Sequence, residues 1–203
     1  MCEWVRPGSK VLDLGCASGY LMDHLRRTKA CEVVGIEPDP EAVAQARSHG
    51  HLVIAEPAEA GGIAAVARYG PFDHIVLADV LEHTADPETL LQRSIPLLGP
   101  DGTAIVSLPN VVSLMARLRL MLGIWRYQDN GIFDRTHLRF FTFRSARELL
   151  LSSDLEVRRQ AFVGPLTFHL GRPARHLTRI RPQLLANQMI FEAAVRRGRG
   201  VPT

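Results

Sequence analysis

At 203 residues and 46% apolar composition the chain can bury a full core, and a single domain is expected. Its three cysteines, Cys2, Cys16 and Cys31, are too few and too irregularly spaced for a zinc centre or a disulfide framework, so reduced thiols, no metal and a cytoplasmic location are expected. The net charge of +3 is modest but uneven, because from Arg158 onward nine arginines are opposed only by Glu192. No signal peptide or lipidation site is read at the N-terminus. The most apolar stretch, 111–125, is broken by Arg117 and Arg119 and cannot span a bilayer.

In chain order, Pro7-Gly8 marks a turn before a first strand containing Val11, Leu12 and Leu14, an apolar run suited to a strand covered on both faces. Gly15 and Gly19 follow, where a backbone without Cβ atoms can bend and lie directly against a ligand. Ser18 is a candidate N-cap for a helix running from Tyr20 to about Arg27. A second strand, Val33 to Ile36, ends in Glu37, an acid placed to accept both hydroxyls of a ribose. Strand, glycine turn, helix, strand and acid make a nucleoside-binding βαβ unit. The spacing Asp13-x-Gly15-x-x-x-Gly19 lacks the middle glycine of a nicotinamide fingerprint, and a P-loop would need Gly-Lys-Ser/Thr.

Pro38 to Glu41 caps a second helix through Arg47, and Leu52 to Ala55 is a third strand followed by Glu56. Residues 58–68 suit a helix, Phe72 to Ala78 a fourth strand, and Asp86-Pro87 opens a helix through about Leu98. Gly99 to Gly102 reads as a turn before a fifth strand, Thr103 to Leu108. Val112, Met115, Leu118 and Leu122 then recur at helical spacing. A helix at Arg144 to Ser152 and a sixth strand at Leu155 to Phe162 follow. Residues 164–182 read as loop plus a short basic helix, Gln188 to Val195 as the last strand, and 198–203 as a disordered tail.

The eleven residues Val11 to Leu21 closely resemble the glycine-rich first motif of class I S-adenosylmethionine-dependent methyltransferases, departing from it at Ala17, where that family usually has glycine. Phe72 to His83, ending Asp79-Val80-Leu81-Glu82-His83, and Leu108-Pro109-Asn110-Val111 also match the family pattern. So does Gly131-Ile132-Phe133-Asp134-Arg135-Thr136-His137-Leu138-Arg139-Phe140-Phe141-Thr142, which is similar to a sub-type found in some sugar, cell-surface polysaccharide and natural-product pathways. The resemblance covers roughly residues 8 to 196. It implies an α/β, doubly wound, Rossmann-like sheet of seven strands, mostly parallel, with an antiparallel last strand inserted between the fifth and sixth. One domain over 1–197 with an acceptor-side insert at about 111–142 follows from it.

By the same resemblance the cofactor is S-adenosyl-L-methionine, leaving as S-adenosyl-L-homocysteine. Glu37 is expected on the ribose, Gly15 and Gly19 against the methionine and ribose portions, and Asp13 ordering the loop and balancing the ammonium and sulfonium charge. Cys16, Ala17, Tyr20 and Pro38 flank them, Glu56 (or Glu59) is placed toward the adenine amino group, and Asp79 and Val80 close the site. His137 and His83 are the candidate general bases, being the histidines near the strand ends where ligands bind in open α/β sheets. Asp134 is expected to fix the His137 tautomer. Asn110, Arg135, Arg139, Trp125 and Tyr127 are assigned to the acceptor, the arginines for a carboxylate or phosphate or else for pairing with Asp129 or Asp134, and the rings as an apolar wall or else as core packing. His24, His49, His51, His74, His169 and His176 are read as surface or packing residues.

The expected activity is methylation of a small molecule, as O-methylation of a sugar or natural-product intermediate, by a monomer or homodimer. The alternatives are a non-catalytic cofactor-binding module serving a partner protein, or other chemistry on the same cofactor such as cyclisation. A nucleic-acid substrate is disfavoured. Enzymes that methylate base amino groups carry Asn/Asp-Pro-Pro-aromatic after the fourth strand, where Asp79-Val80-Leu81-Glu82 stands here, and no Pro-Cys nucleophile is present.

Overall fold

A computed structural model describes residues 1–164 and 181–196. The basic segment, with His169 and His176, and the expected tail at 198–203 lie outside the described residues. One sheet of seven strands organises the chain: β1 (Lys10–Leu14), β2 (Glu32–Ile36), β3 (Leu52–Ile54), β4 (Phe72–Ala78), β5 (Leu98–Pro109), β6 (Leu155–Val163) and β7 (Gln188–Val195). Their order across the sheet is β3-β2-β1-β4-β5-β7-β6, parallel except that β7 runs antiparallel between β5 and β6. The order reverses between β1 and β4, so a crevice opens at their C-terminal ends.

Alternating strand residues feed two cores. Leu12, Leu14, Ile75, Leu77, Ala104, Val106 and Leu108 are buried on one face with residues of α3 (Ile63–Val66), α4 (Pro87–Ser94) and α6 (Phe143–Ser152). Val11, Val76, Ile105 and Ile190 are buried on the other, where α1 (Tyr20–Lys29) contributes Leu25. Behind β2 and β3, Met22 of α1 packs with Val43 and Ala46 of α2 (Pro40–Ser48). Coverage of both faces is why these strands read as unbroken apolar runs.

Local departures from the sequence reading have identifiable causes. Gly19 (φ +85°), not Ser18, is the N-cap of α1, because the loop enters the helix through the left-handed region that glycine adopts freely. Residues 58–69 break into a π-turn at Ala58–Gly62, the single turn α3 and a 3-10 turn, the glycine pair at 61–62 interrupting one continuous helix. The expected turn at 99–102 instead lies within β5 as an irregularity, with Phe72 opposite Leu98 and His74 opposite Thr103. Helix α6 starts one residue early because Thr142 and Ser145 form a reciprocal capping box. Glu192 pairs with Arg159 at 3.0 Å, so part of the basic C-terminal stretch is neutralised within the sheet.

After β5 the chain leaves the sheet for the excursion anticipated at 111–142, which carries α5 (Leu114–Met121). Both ends are clamped together, Val111 N–H donating to Phe141 O at 3.0 Å and Asn110 bridging Phe141. Among the described residues no helix is long and apolar enough to cross a membrane.

Candidate active site

The loop after β1 is tied to β2. Gly15 and Cys16 donate their amides to Ile36 O at 2.8 and 3.1 Å, and Ala17 donates to Glu37 Oε2 at 2.9 Å. The other oxygen of Glu37 accepts from Asp39 N–H at 2.9 Å. Glu37 therefore holds both sides of the crevice rim while each oxygen keeps a further lone pair for a ligand hydroxyl. Any substitution at Gly15 (φ +69°) would be strained, since a Cβ there would stand 2.8 Å from Val80 Cγ2. Ala17 sits at φ +45°, a left-handed conformation that costs an L-residue roughly 1–2 kcal/mol and explains why glycine is usual at this position of the motif.

A cleft of about 330 Å³ lies against this loop, lined by Gly15, Ile36, Glu37, Pro38, Pro57, Ala58, Glu59, Asp79, Val80, His83, Thr84 and Leu90. Of the eleven residues expected at the cofactor, Gly15, Glu37, Pro38, Asp79 and Val80 line this one space. Glu59 lines it, with its carboxylate accepting Ala85 N–H at 3.1 Å, whereas Glu56 is folded over Gly61. Tyr20 is 83% exposed and is not among the residues lining the cleft. Cys16 is buried behind the loop, its thiol pushed up to about 12 by burial, then by the Asp13 and Glu37 charges, so only its backbone is available.

Asp13 is 2% exposed, and one of its oxygens has no hydrogen-bond partner. Burial, then the charge of Glu37, pushes its carboxyl up to about 7. An orphaned acid of this kind fits a cationic ligand group nearby. The sign of its pH linkage follows: between the unfolded pKa near 4 and the folded value near 7 the native state holds a proton that the unfolded chain has released. Its contribution to stability is complete below pH 4 and is lost as the pH rises to 7. The ligand-free protein should therefore lose stability with rising pH more steeply than Asp13→Asn, by up to about 1.4 kcal/mol per pH unit between pH 5 and 7. Urea titrations at several pH values measure this, and parallel slopes would mean that Asp13 is already ionised.

Next to this cleft is a second, of about 410 Å³, which shares Asp79 and His83 with the first. Its other walls are Glu82, Pro109, Met115, Ala116, Arg119, Gln128, Gly131, Ile132, Phe133, Asp134, His137, Asn187 and Gln188. Asp79 stands at the junction with φ +56°, its carboxylate receiving Ser107 Oγ at 3.3 Å and the Gln188 amide. His83 and His137 meet edge to face with centroids 4.7 Å apart. The Thr136 hydroxyl donates to Asp134 Oδ1 at 2.6 Å, so it can only accept from His83 Nδ1 at 3.0 Å. That bond leaves Nε2 as the acceptor nitrogen of His83. In His137, Nδ1 donates to Ile132 O at 3.3 Å and again leaves Nε2 as the acceptor. Asp134 was expected to orient His137; instead it orients His83 through Thr136.

Burial, then the neighbouring His83, lowers the His137 pKa below its ordinary value, which keeps the imidazole neutral at pH 7. Glu82, 1% exposed with one oxygen unpartnered, has its carboxyl pushed up to about 8 by burial. Donor atoms of Glu82, His83 and His137 lie within 4.8 Å of one another, close enough to share a cation. The raised Glu82 carboxyl and the two imidazoles together form an acid–base cluster.

The five residues expected at the acceptor make contacts outside the cleft lining. Asn110 is fully buried and donates to Ala186 O at 2.8 Å and Gln183 O at 3.1 Å, pinning the turn before β7. Asn110→Ala should cost about 1–3 kcal/mol in urea unfolding, because those buried carbonyls lose their donor. Arg135 pairs with Asp129 at 2.7 Å, and Arg139 donates to Ala85 O. Trp125 and Tyr127 stack edge to face behind the cleft, Trp125 on Phe133 at 4.9 Å, and Phe133 is the ring that lines it. The cation in the wall is Arg119, held by Gln128 at 3.3 Å. Sequence reading missed Glu82, Arg119, Gln128 and Gln188. Glu82 lay inside the quoted 79–83 motif, and antiparallel insertion of β7 already implied that its first residue, Gln188, would meet the parallel strand ends.

A family model described as "Methyltransferase domain" matches residues 2–160. "Ubiquinone biosynthesis O-methyltransferase" of Azorhizobium caulinodans is 32% identical over 113 residues, covering 51% of this chain and 41% of that protein. "Ubiquinone biosynthesis O-methyltransferase, mitochondrial" of Bos taurus is 30% identical over 168 residues, 78% of this chain and 44% of that protein. The chain thus spans less than half the length of these curated relatives. A structure titled a S-adenosylmethionine-dependent methyltransferase, possible histamine N-methyltransferase, from Thermotoga maritima superposes with TM-score 0.65 at 15% identity, covering 97% of this chain and 86% of that one.

Proposed function

The chain belongs to the S-adenosylmethionine-dependent methyltransferases, and on that premise we propose that it O-methylates a small hydroxyl-bearing molecule with His137 as the general base. The observation that carries the reading is the meeting of two clefts at Asp79 and His83, one against the glycine loop and Glu37, the other against the paired imidazoles. When bound, S-adenosylmethionine supplies a methyl group activated on a sulfonium. The residues fit it: an acceptor-rich rim at Glu37, a cradle at Gly15 that a Cβ would fill, and the orphaned Asp13 carboxyl.

The chain's own contribution is placement and proton transfer. The hydroxyl of the acceptor lies in the second cleft with its oxygen toward the junction. As that oxygen would take the methyl group and the methyl–sulfur bond would break to release S-adenosylhomocysteine, the hydroxyl proton would pass to His137 Nε2, the Ile132 carbonyl stabilising the imidazolium through Nδ1. His83, held by Thr136 and Asp134, keeps the acceptor at the junction. Met115, Ala116, Ile132 and Phe133 give the cleft an apolar side, while Arg119, Gln128 and Gln188 give it polar ends. That mixture suits a ring bearing hydroxyls, and the ubiquinone O-methyltransferase relatives favour a phenolic ring over the sugar expected from the sub-type.

Incubating the protein with the labelled cofactor and matched panels of phenols, sugars and amines tests this. Label should enter the hydroxyls of phenols, with one S-adenosylhomocysteine released per methyl group. Label confined to amines, or cofactor turnover with no methylated product, would overturn the reading.

A further inference from the structure

On the face of the sheet behind the glycine loop, three side chains that the methyl-transfer chemistry does not use come together. Asp23 stands on the first turn of α1, and His49 and His51 flank Gly50 in the turn that links α2 to β3. Gly50 takes φ +79°, and with His49 and His51 both donating their amides to Ala46 O the two imidazoles are brought to the same carboxylate. His51 Nε2 lies 3.1 Å from Asp23 Oδ1, and His49 Nδ1 lies 3.5 Å from Asp23 Oδ2. All three donor atoms fall within 4.8 Å of one another.

We propose that Asp23, His49 and His51 form a site for a divalent transition metal of the zinc class. Metal–ligand bonds of about 2.0–2.1 Å at tetrahedral angles set ligand atoms roughly 3.3–3.4 Å apart, and each imidazole nitrogen already lies near that distance from one oxygen of Asp23, His51 from Oδ1 and His49 from Oδ2. Two imidazoles and one carboxylate make a borderline donor set that favours zinc, nickel or copper over magnesium or calcium. The side chains of Asp23 and His49 are 40% and 47% exposed, which leaves an entry path and room for water at the fourth position. The His51 side chain is only 3% exposed, so this ligand is preset by the fold. Arg26 reaches toward Gly50 O at 3.5 Å, fixing the turn from outside.

The site also has a structural consequence. The His51 ring packs directly on Gly19, where a Cβ would stand 2.7 Å from its Cδ2, and Asp23 N–H donates to Gly19 O at 2.9 Å. A bound ion would tie the first turns of α1 to the α2–β3 turn just behind the cofactor loop, and so raise the stability of the folded chain by mass action.

Calorimetric titration of the full, tag-free chain with zinc chloride tests the proposal, alongside Asp23→Asn, His49→Ala and, as a control on the active-site cluster, His83→Ala. One ion should bind the unmodified chain. Asp23→Asn and His49→Ala should each weaken it at least tenfold with circular dichroism unchanged, and His83→Ala should leave it alone. Zinc should raise the thermal midpoint of the unmodified chain and not that of the two variants, and magnesium should do neither. Zinc uptake equal in all four proteins, uptake lost only in His83→Ala, or no uptake below millimolar zinc would overturn it.

Discussion

Glu37→Ala should weaken S-adenosylhomocysteine binding by roughly 1.5–3 kcal/mol, a factor on the order of 10 to 10², with the fold intact. The carboxylate sits at the end of β2, where it accepts Ala17 N–H on one oxygen and Asp39 N–H on the other, both at 2.9 Å. Those amides are exposed and can turn to water when the side chain is removed, so global stability should change little. Affinity should not be spared, because the acceptors for two ligand hydroxyls are lost along with the tether on a loop that Ala17 already enters at φ +45°. Glu37→Gln keeps one acceptor oxygen and should fall between. Calorimetry with the folded variants decides it, and an unchanged dissociation constant in Glu37→Ala would remove Glu37 from the ribose.

The side of the candidate site against the glycine loop was legible because it is local. Asp13, Gly15, Gly19 and Glu37 belong to one βαβ unit, and backbone requirements dictate their types: Gly15 must clear Val80, and Gly19 must turn left-handed. The acceptor half depends on contacts between distant segments. Gln188 reaches Asp79 across 109 residues, and Asn110 meets Ala186 across 76. No spacing rule indicates that Asn110 is spent on backbone carbonyls, or that Asp134 serves His83 through a hydroxyl rather than the adjacent His137. The arginines divide for a related reason. Arg135 and Arg139 lie within the most distinctive motif but bond to Asp129 and Ala85, whereas Arg119, on an exposed amphipathic helix, faces the cleft. Strand limits followed from apolar periodicity to within about a residue, except where the chain bulges at 98–103.

His137→Ala should lower turnover by about 10²–10⁴-fold while leaving S-adenosylhomocysteine affinity nearly unchanged. The second part follows from position, since His137 lines the acceptor cleft and not the one against the glycine loop. The first follows from the state in which the ring is held. The Ile132 carbonyl takes the Nδ1 proton, and burial together with the neighbouring His83 lowers its pKa, so Nε2 is a free acceptor at neutral pH. Turnover should accordingly stay level as the pH falls through the ordinary histidine range near 6.5 and decline only at lower pH, since a lowered pKa extends the neutral form downward. His83→Ala should act differently: its ring is oriented by Thr136 and borders both clefts, so its loss should raise KM for the acceptor more than it lowers kcat. Asp134→Asn should resemble a weaker His83→Ala, because it acts through Thr136 alone. Near-normal turnover in His137→Ala, with a deep loss of kcat in His83→Ala, would transfer the base to His83. A pH profile for His137→Ala that matched the unmodified enzyme would do the same, because the titrating group would still be present.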